Sequence, residues 1–399
     1  MLLFPRLLFY RFHRPINEQP STHRRMMETN EEKTSAAKPN RLASLDALRG
    51  FDMFWIIGAE PLVHALVKTT NAPWATTVAE QLSHKEWEGF AFYDLIFPLF
   101  VFIVGISIVF SLGQSLEAHG KGRTLRRVFI RSLILFLLGI FYYGGIAEGL
   151  DRVRLLGVLQ RIALCYFFGS LAYCFLGTRG RIALCVLILG GYWAMMNFVP
   201  VPGVGAGNFE EGKNLANYVD SQYLPFFKWD GNHDPEGLLS TLPAIGTCLL
   251  GIFAGSLLRS TGIRDALKVV YLLIAGIALT ALGYLWGLEF PIIKKLWTSS
   301  YVLVAAGYSC LFMAFFYLVV EIIGFKIWAL PFIWIGMNPI TIYLAHRLLD
   351  FDNIANRIAG GPVKAALGSY GEMAILALVL GFSLLFVNFL YRKQIFLRV

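Results

Sequence analysis

His84, Glu86, Glu88 and Asp94 stand at the mouth of a long apolar run that continues through Leu95-Ile96-Phe97-Pro98-Leu99-Phe100-Val101-Phe102-Ile103. A titratable group at or inside a bilayer boundary costs on the order of a few kcal/mol unless it is solvated or paired, so chains that keep such groups usually use them. The pattern therefore points to chemistry at a membrane surface. His346 is the second histidine of interest, because it ends an apolar stretch whose inner half reads Gly336-Met337-Asn338-Pro339. A proline there frees backbone carbonyls that protein or cavity water must satisfy, which makes a lined pocket the natural setting.

These groups need a membrane scaffold to hold them, and the composition supplies one. Hydrophobic residues make up 56% of the 399 positions, charged residues only 15%, and the mean hydropathy is +0.59. The expected fold is all-α, a polytopic membrane helical bundle of about ten transmembrane helices. Runs long enough to cross roughly 30 Å of hydrocarbon lie near 46–68, 91–115, 128–147, 156–177, 182–199, 239–259, 267–288, 301–324, 327–346 and 369–391. Only an internal hydrogen-bond ladder satisfies the backbone of such runs in lipid, and the short alternating segments of a membrane barrel are missing.

Lys and Arg set the expected orientation. With the N terminus inside, the inner loops hold Lys121, Arg123, Arg126, Arg127, Arg179, Arg181, Arg259, Arg264, Lys268 and Lys326, and the tail adds Arg392, Lys393 and Arg398. By the positive-inside rule both termini are cytoplasmic. The net charge of +9 then reports topology and gives no reason to expect nucleic-acid binding. Residues 1–42 read as a basic, disordered cytoplasmic leader, and 43–399 as the membrane domain. The five cysteines fall in or at the ends of spans, which suits small buried apolar residues; neither a disulfide framework nor a metal site is expected.

Three further polar groupings sit where lipid alone would not permit them. Asp46 and Arg49 lie at i,i+3 and can pair on one helix face. Gln160 and Arg161 enter the fourth span, where a cavity-facing arginine is expected. Trp229-Asp230-Gly231-Asn232-His233-Asp234-Pro235-Glu236-Gly237 closes the longest outer loop, and its rings and carboxylates suit a carbohydrate. The same stretch also reads as a helix entry with Asp234 as N-cap and Pro235 at the first helical position. Phosphate-binding loops, zinc-protease motifs and serine-hydrolase elbows are absent from the sequence.

Taken in chain order, these segments resemble the heparan-α-glucosaminide N-acetyltransferase family. The resemblance is carried by Arg41-Leu-Ala-Ser-Leu-Asp46-Ala-Leu-Arg49-Gly50, by His84, Trp87 and Gly89 running through Asp94-Leu-Ile-Phe-Pro98 to Gly105, and by Val153-Arg154-Leu-Leu-Gly157-Val-Leu-Gln160-Arg161. Asp234-Pro-Glu236-Gly237, Leu296-Trp297-Thr-Ser-Ser-Tyr301, Gly336-Met-Asn338 and Tyr391-Arg392-Lys393 extend it, so it covers nearly all of 41–399. The family's lysosomal enzyme has a large luminal N-terminal region and an extra preceding span that this sequence does not show. The expected acceptor here is a glucosamine-type sugar, and the expected location is a bacterial inner membrane.

The resemblance implies transfer of an acetyl group from cytoplasmic acetyl-CoA to a sugar amine on the far side of the membrane. It places the catalytic histidine at His84. An imidazole changes charge near neutral pH and suits a general base, with Asp94 to orient it. Trp87, Asp234, Glu236, Asn338 and His346 are the expected substrate-binding residues. Arg126, Arg127, Arg161, Arg392 and Lys393 are expected to hold the nucleotide phosphates by charge-assisted hydrogen bonds. The implied partners are the amino sugar and the bilayer, with a homodimer as a candidate assembly. Two alternatives stay open at this point: a transporter or flippase for a sugar or lipid-linked sugar, and an acyltransferase acting on hydroxyls of cell-surface glycans.

Overall fold

The computed structural model describes residues 41–397 apart from positions 71 and 148. Almost all of the expected leader therefore lies outside the described residues. The first span is α1 (Ala43–Phe54), a π turn (Trp55–Ala59) and α2 (Glu60–Thr70), followed by the short α3 (Pro73–Gln81). The next element, α4 (Phe92–Tyr142), has 51 residues. A straight helix of that length would run roughly 76 Å, far beyond the roughly 30 Å of hydrocarbon. Gly120, at φ 72° and ψ 175°, breaks it. The hydroxyls of Ser115 and Thr124 lie 2.9 Å apart across the break, which only a chain folding back on itself allows. α4 is thus a hairpin with arms 92–119 and 121–142.

Beyond it come α5 (Val158–Phe175), α6 (Thr178–Phe198), the short α7 (Leu215–Tyr223), α8 (Thr241–Arg259), α9 (Asp265–Gly287) and α10 (Ser299–Phe316). A broken span follows, in which α11 (Leu330–Met337) and α12 (Pro339–Leu349) belong to a helix pair bent by 71° at Asn338. Pro339 supplies no amide to continue the ladder, so the helix axis breaks where the sequence requires. Two short helices, α13 (Phe351–Ala359) and α14 (Pro362–Ala366), lead to α15 (Gly371–Arg392). Eight helices of the described residues are long and apolar enough to cross a membrane. Dividing α4 at Gly120 and counting the bent pair as one span brings the number to ten, as the hydropathy pattern predicts.

The first arm of α4, α8 and α10 form the centre, while α6, α9 and α15 expose most of their apolar surface as a lipid-facing ring. Close approach of α1 and α11 depends on missing side chains. A Cβ on Gly50 of α1 would strike the Phe332 carbonyl, and one on Gly336 of α11 would strike the Asp46 carbonyl. Helices in lipid gain their association from such small-residue contact, since there is no hydrophobic drive between them. The Asp46–Arg49 pair forms as expected, at 3.3 Å, and Arg49 also donates to the Gly336 carbonyl and to the Ser107 hydroxyl. All five cysteines are buried and unpaired.

One local expectation fails. α8 starts at Thr241, seven residues beyond Asp234, so Asp234 caps no helix and Pro235 begins none. Its carboxylate is drawn instead to Arg154, and the segment between forms turns.

Candidate active site at the His84 face

The site is assembled by two loops at one end of the bundle. Loop 82–91 leads into α4, and loop 288–298 leads into α10. Glu88 bridges to Ile293, and the Gly89 amide donates to the Ile292 carbonyl at 2.9 Å. Gly89 has φ +117°, which other residues rarely adopt, so this turn is a glycine position. Loop 288–298 is itself braced: the Thr298 hydroxyl donates to the Pro291 carbonyl and accepts from the Ile293 amide, and the Ser300 hydroxyl donates to the Phe290 carbonyl. Tyr301, fully buried, donates its hydroxyl to the Asp94 carbonyl at 2.8 Å. The Leu296–Tyr301 motif is thereby explained as the clasp that holds one loop against the other.

Asp94 stands in the first turn of α4, where the helix dipole favours a carboxylate. Its Oδ2 accepts from the amides of Ala91 (3.1 Å) and Lys85 (3.3 Å), and its Oδ1 lies 2.9 Å from His84 Nδ1. The carboxylate is wholly buried while the imidazole is 51% exposed. The ring of Tyr93 packs on the imidazole with centroids 4.6 Å apart. Lys294, unremarked in the sequence, completes the group. Its Nζ is 2.9 Å from His84 Nδ1, 3.2 Å from Nε2 and 3.4 Å from Asp94 Oδ1. Burial lowers the ammonium from the ordinary lysine value, against the opposing charges of Asp94 and Glu236.

His84, Lys294 and Glu236 line the polar end of a cavity of about 230 Å³ whose walls are Met53, Ile56, Phe97, Phe100, Leu159 and Ile340. Phe100 lies two turns into α4, so the cavity reaches roughly 12 Å below the helix end. Tyr343 of α12 separates it from a second, wider cavity of about 470 Å³ lined by Tyr142, Tyr143, Arg152, Phe227, Trp229 and Arg347. An apolar slot meeting a few convergent polar groups is the usual form of a small-molecule site.

A second charged cluster stands beside the first cavity. Arg154 donates from Nε to Asp234 Oδ2 at 3.0 Å, from Nη2 to Asp234 Oδ1 at 2.7 Å, and from Nη2 to Glu236 Oε2 at 2.5 Å. Its guanidinium also lies over the rings of Tyr143 and Trp229. Burial alone would lower Arg154, but the Asp234 hydrogen bonds and the Glu236 charge outweigh it and hold the guanidinium above its ordinary value. Burial raises the Glu236 carboxyl against the charges of Arg161 and Arg154. Asp220 of α7 accepts the Leu238 and Asp234 amides, and burial pushes its carboxyl up to about 6.

The remaining expected residues are dispersed. Trp87 turns away from the His84 cavity, donating its indole N–H to the Phe209 carbonyl at 2.9 Å. Asp234 has both oxygens on Arg154, so of the two acidic residues only Glu236 faces the first cavity. Asn338 is buried at the break, accepting the Leu397 amide at 3.4 Å. His346 packs near Phe351, and its neighbours in sequence, Tyr343 and Arg347, line the wider cavity in its place. Arg161 is buried near the first cavity, donating to the Gly237 carbonyl and Ser240 hydroxyl over the Trp297 ring. Arg126, Arg127, Arg392 and Lys393 are exposed at the opposite end of the bundle, near the Gly120 turn and the end of α15. Glu211, Asp230 and His233 form a further group whose ligand atoms lie within 4.8 Å of one another. The Lys295 ammonium sits among them, 2.7 Å from Glu211 and 3.0 Å from Asp230.

Comparison with known proteins bears on this geometry. Residues 41–283 match the family model described as heparan-alpha-glucosaminide N-acetyltransferase, catalytic. The heparan-alpha-glucosaminide N-acetyltransferase of Homo sapiens is 28% identical over 376 residues, covering 79% of this chain and 54% of the relative. That of Mus musculus is 27% identical over 377 residues, covering 79% and 55%. The chain spans about half the length of these relatives. The matched region runs from α1 into α9, with His84, Asp94, Arg154, Asp234 and Glu236 inside it, and the chain belongs to the heparan-alpha-glucosaminide N-acetyltransferase family.

Proposed function

We propose that the chain is a transmembrane acetyltransferase that takes the acetyl group of acetyl-CoA from the cytoplasmic side and delivers it to the amine of a glucosamine-type sugar on the outer side, with His84 as base. The observation that carries this reading is the pairing of His84 with a buried carboxylate at the polar end of a narrow apolar slot. Asp94 accepts the Nδ1 proton, which leaves the Nε2 lone pair, 3.2 Å from the Lys294 ammonium, as the position for a second one. An apolar slot of about 230 Å³ suits a thioester arm, whose nucleotide is too highly charged to follow it into the bilayer. Arg126, Arg127, Arg392 and Lys393 are exposed at the opposite end, where they are available to the nucleotide phosphates.

The step runs as acyl transfer. The sugar amine attacks the thioester carbonyl, a C–N bond forms and the C–S bond breaks; the nitrogen's proton passes to His84, and the sulfur leaves as a thiolate that takes a proton back from the imidazolium. The wider cavity, with Trp229 and Tyr143 as stacking faces, is the acceptor's entry. Both termini lie in the cytoplasm of a bacterial inner membrane in this arrangement.

The test incubates purified protein in detergent with radiolabelled acetyl-CoA and glucosamine. The expected result is labelled N-acetylglucosamine from the wild type and none from His84→Ala of unchanged thermal stability. A wild type that neither transfers acetyl nor gains thermal stability from acetyl-CoA would instead support a sugar or lipid-linked sugar transporter.

A further inference from the structure

We propose that Lys294 is a positioning residue whose ammonium restricts the His84 ring to one proton, so that Asp94 orients the imidazole without trapping it as imidazolium. This rests on the reading of His84 as base and extends it to the group that keeps the base usable.

A histidine hydrogen-bonded to a buried carboxylate is ordinarily stabilised in its charged form. A base already carrying two protons takes up no third. Here the carboxylate has little left to give. Oδ2 is committed to the Ala91 and Lys85 amides, so His84 Nδ1 and Lys294 Nζ converge on Oδ1 alone. The two nitrogens are 2.9 Å apart. A second proton on the ring would place two cations in contact beside one anion.

The other groups around the ring do not change this balance. From α4, Tyr93 stacks on it; Glu236, from the segment before α8, lines the same cavity but is bound to Arg154; Tyr343 approaches from α12; and Lys85, Glu86 and Glu88 on its own segment are exposed. Nor is Lys294 free to drift, because its loop is tied through Gly89 to Ile292 and through Thr298 to Ile293.

The test is the pH dependence of kcat/KM for acetyl transfer to glucosamine by wild type, Lys294→Met and Lys294→Arg, each checked for thermal stability. Removing the charge should move the acid limb of Lys294→Met to higher pH by on the order of one unit or more, with activity recovered in mild alkali, while Lys294→Arg keeps the limb in place. A uniform loss at every pH, or the same displacement in the arginine variant, would overturn the proposal. Carbethoxylation of His84 by diethylpyrocarbonate, followed by peptide mass spectrometry across pH, reads the same protonation without acetyl transfer. If the wild type forms no product, the acetyltransferase reading fails, and this second measurement still decides the role of Lys294: reaction at His84 should reach its plateau at lower pH in the wild type than in Lys294→Met, and equal profiles would overturn it.

Discussion

The Arg154 and His84 clusters are built from the same parts, a buried carboxylate and a cationic side chain from a distant segment, yet they end in opposite states. Arg154 is 5% exposed and Asp234 fully buried, and the fork of one fills the oxygens of the other. His84 is half exposed and lines a cavity, and its carboxylate is shared with a lysine. Saturation of Asp234 makes the first cluster a clamp, because both of its oxygens are held by the Arg154 fork. Incomplete saturation leaves the second one with a half-exposed ring nitrogen that its carboxylate does not hold. Burial and charge alone would not separate the two; the number of hydrogen bonds still on offer does.

The comparison breaks most decisively at Arg154. Arg154→Met keeps much of the volume but leaves Asp234 and Glu236 buried without their cation. Breaking a buried pair by removing one partner costs about 3–5 kcal/mol, so thermal unfolding in detergent should show a large loss of stability. A melting temperature within about 2 °C of the wild type would show that the cluster is not the clamp its geometry describes.

Asp94→Asn tests the other cluster and should read out in rate more than in stability. The amide still accepts from the Ala91 and Lys85 backbone, but it gives His84 no charge and no fixed tautomer. Transfer should fall by about two to four orders of magnitude, the range that a positioned base contributes. The melting temperature should change much less than in Arg154→Met. Equal losses of stability in both variants would erase the distinction between them.

How far the sequence reveals these clusters depends on distance along the chain. The spans are legible because lipid demands long apolar runs, and the break at Asn338-Pro339 because proline cannot continue a ladder. The Asp46–Arg49 and His84–Asp94 pairs are legible because their members are close in sequence. Lys294 is 210 positions from His84 and Asp234 is 80 from Arg154, and no local periodicity joins residues so far apart. The available signal for Lys294 was its sign: Lys294-Lys295 places two cations in a loop that the positive-inside reading assigns to the outer face. Trp87 shows the converse, since nearness to His84 in sequence does not fix which way a ring turns, and its indole N–H goes to the Phe209 carbonyl.

Asp220 sharpens the contrast with the smallest effect, because it separates the clusters by what pH changes. Burial raises its carboxyl from the ordinary 3.8 to about 6. Between those values the folded chain keeps a proton that the unfolded chain has released, so the unfolded state binds fewer protons and stability falls as pH rises through that window. Above about 6 the contribution is level. Asp220→Asn retains an acceptor for one of the Leu238 and Asp234 amides and removes the titration, so melting temperature between about pH 4 and 6 should slope less steeply than in the wild type. Lys294→Met should leave that slope alone while moving the acid limb of the rate. An Asp220→Asn slope identical to the wild type would place the titrating group elsewhere, and a displaced rate limb in the same variant would mean that clamp and base are coupled through Glu236, which is bound to Arg154 and lines the His84 cavity.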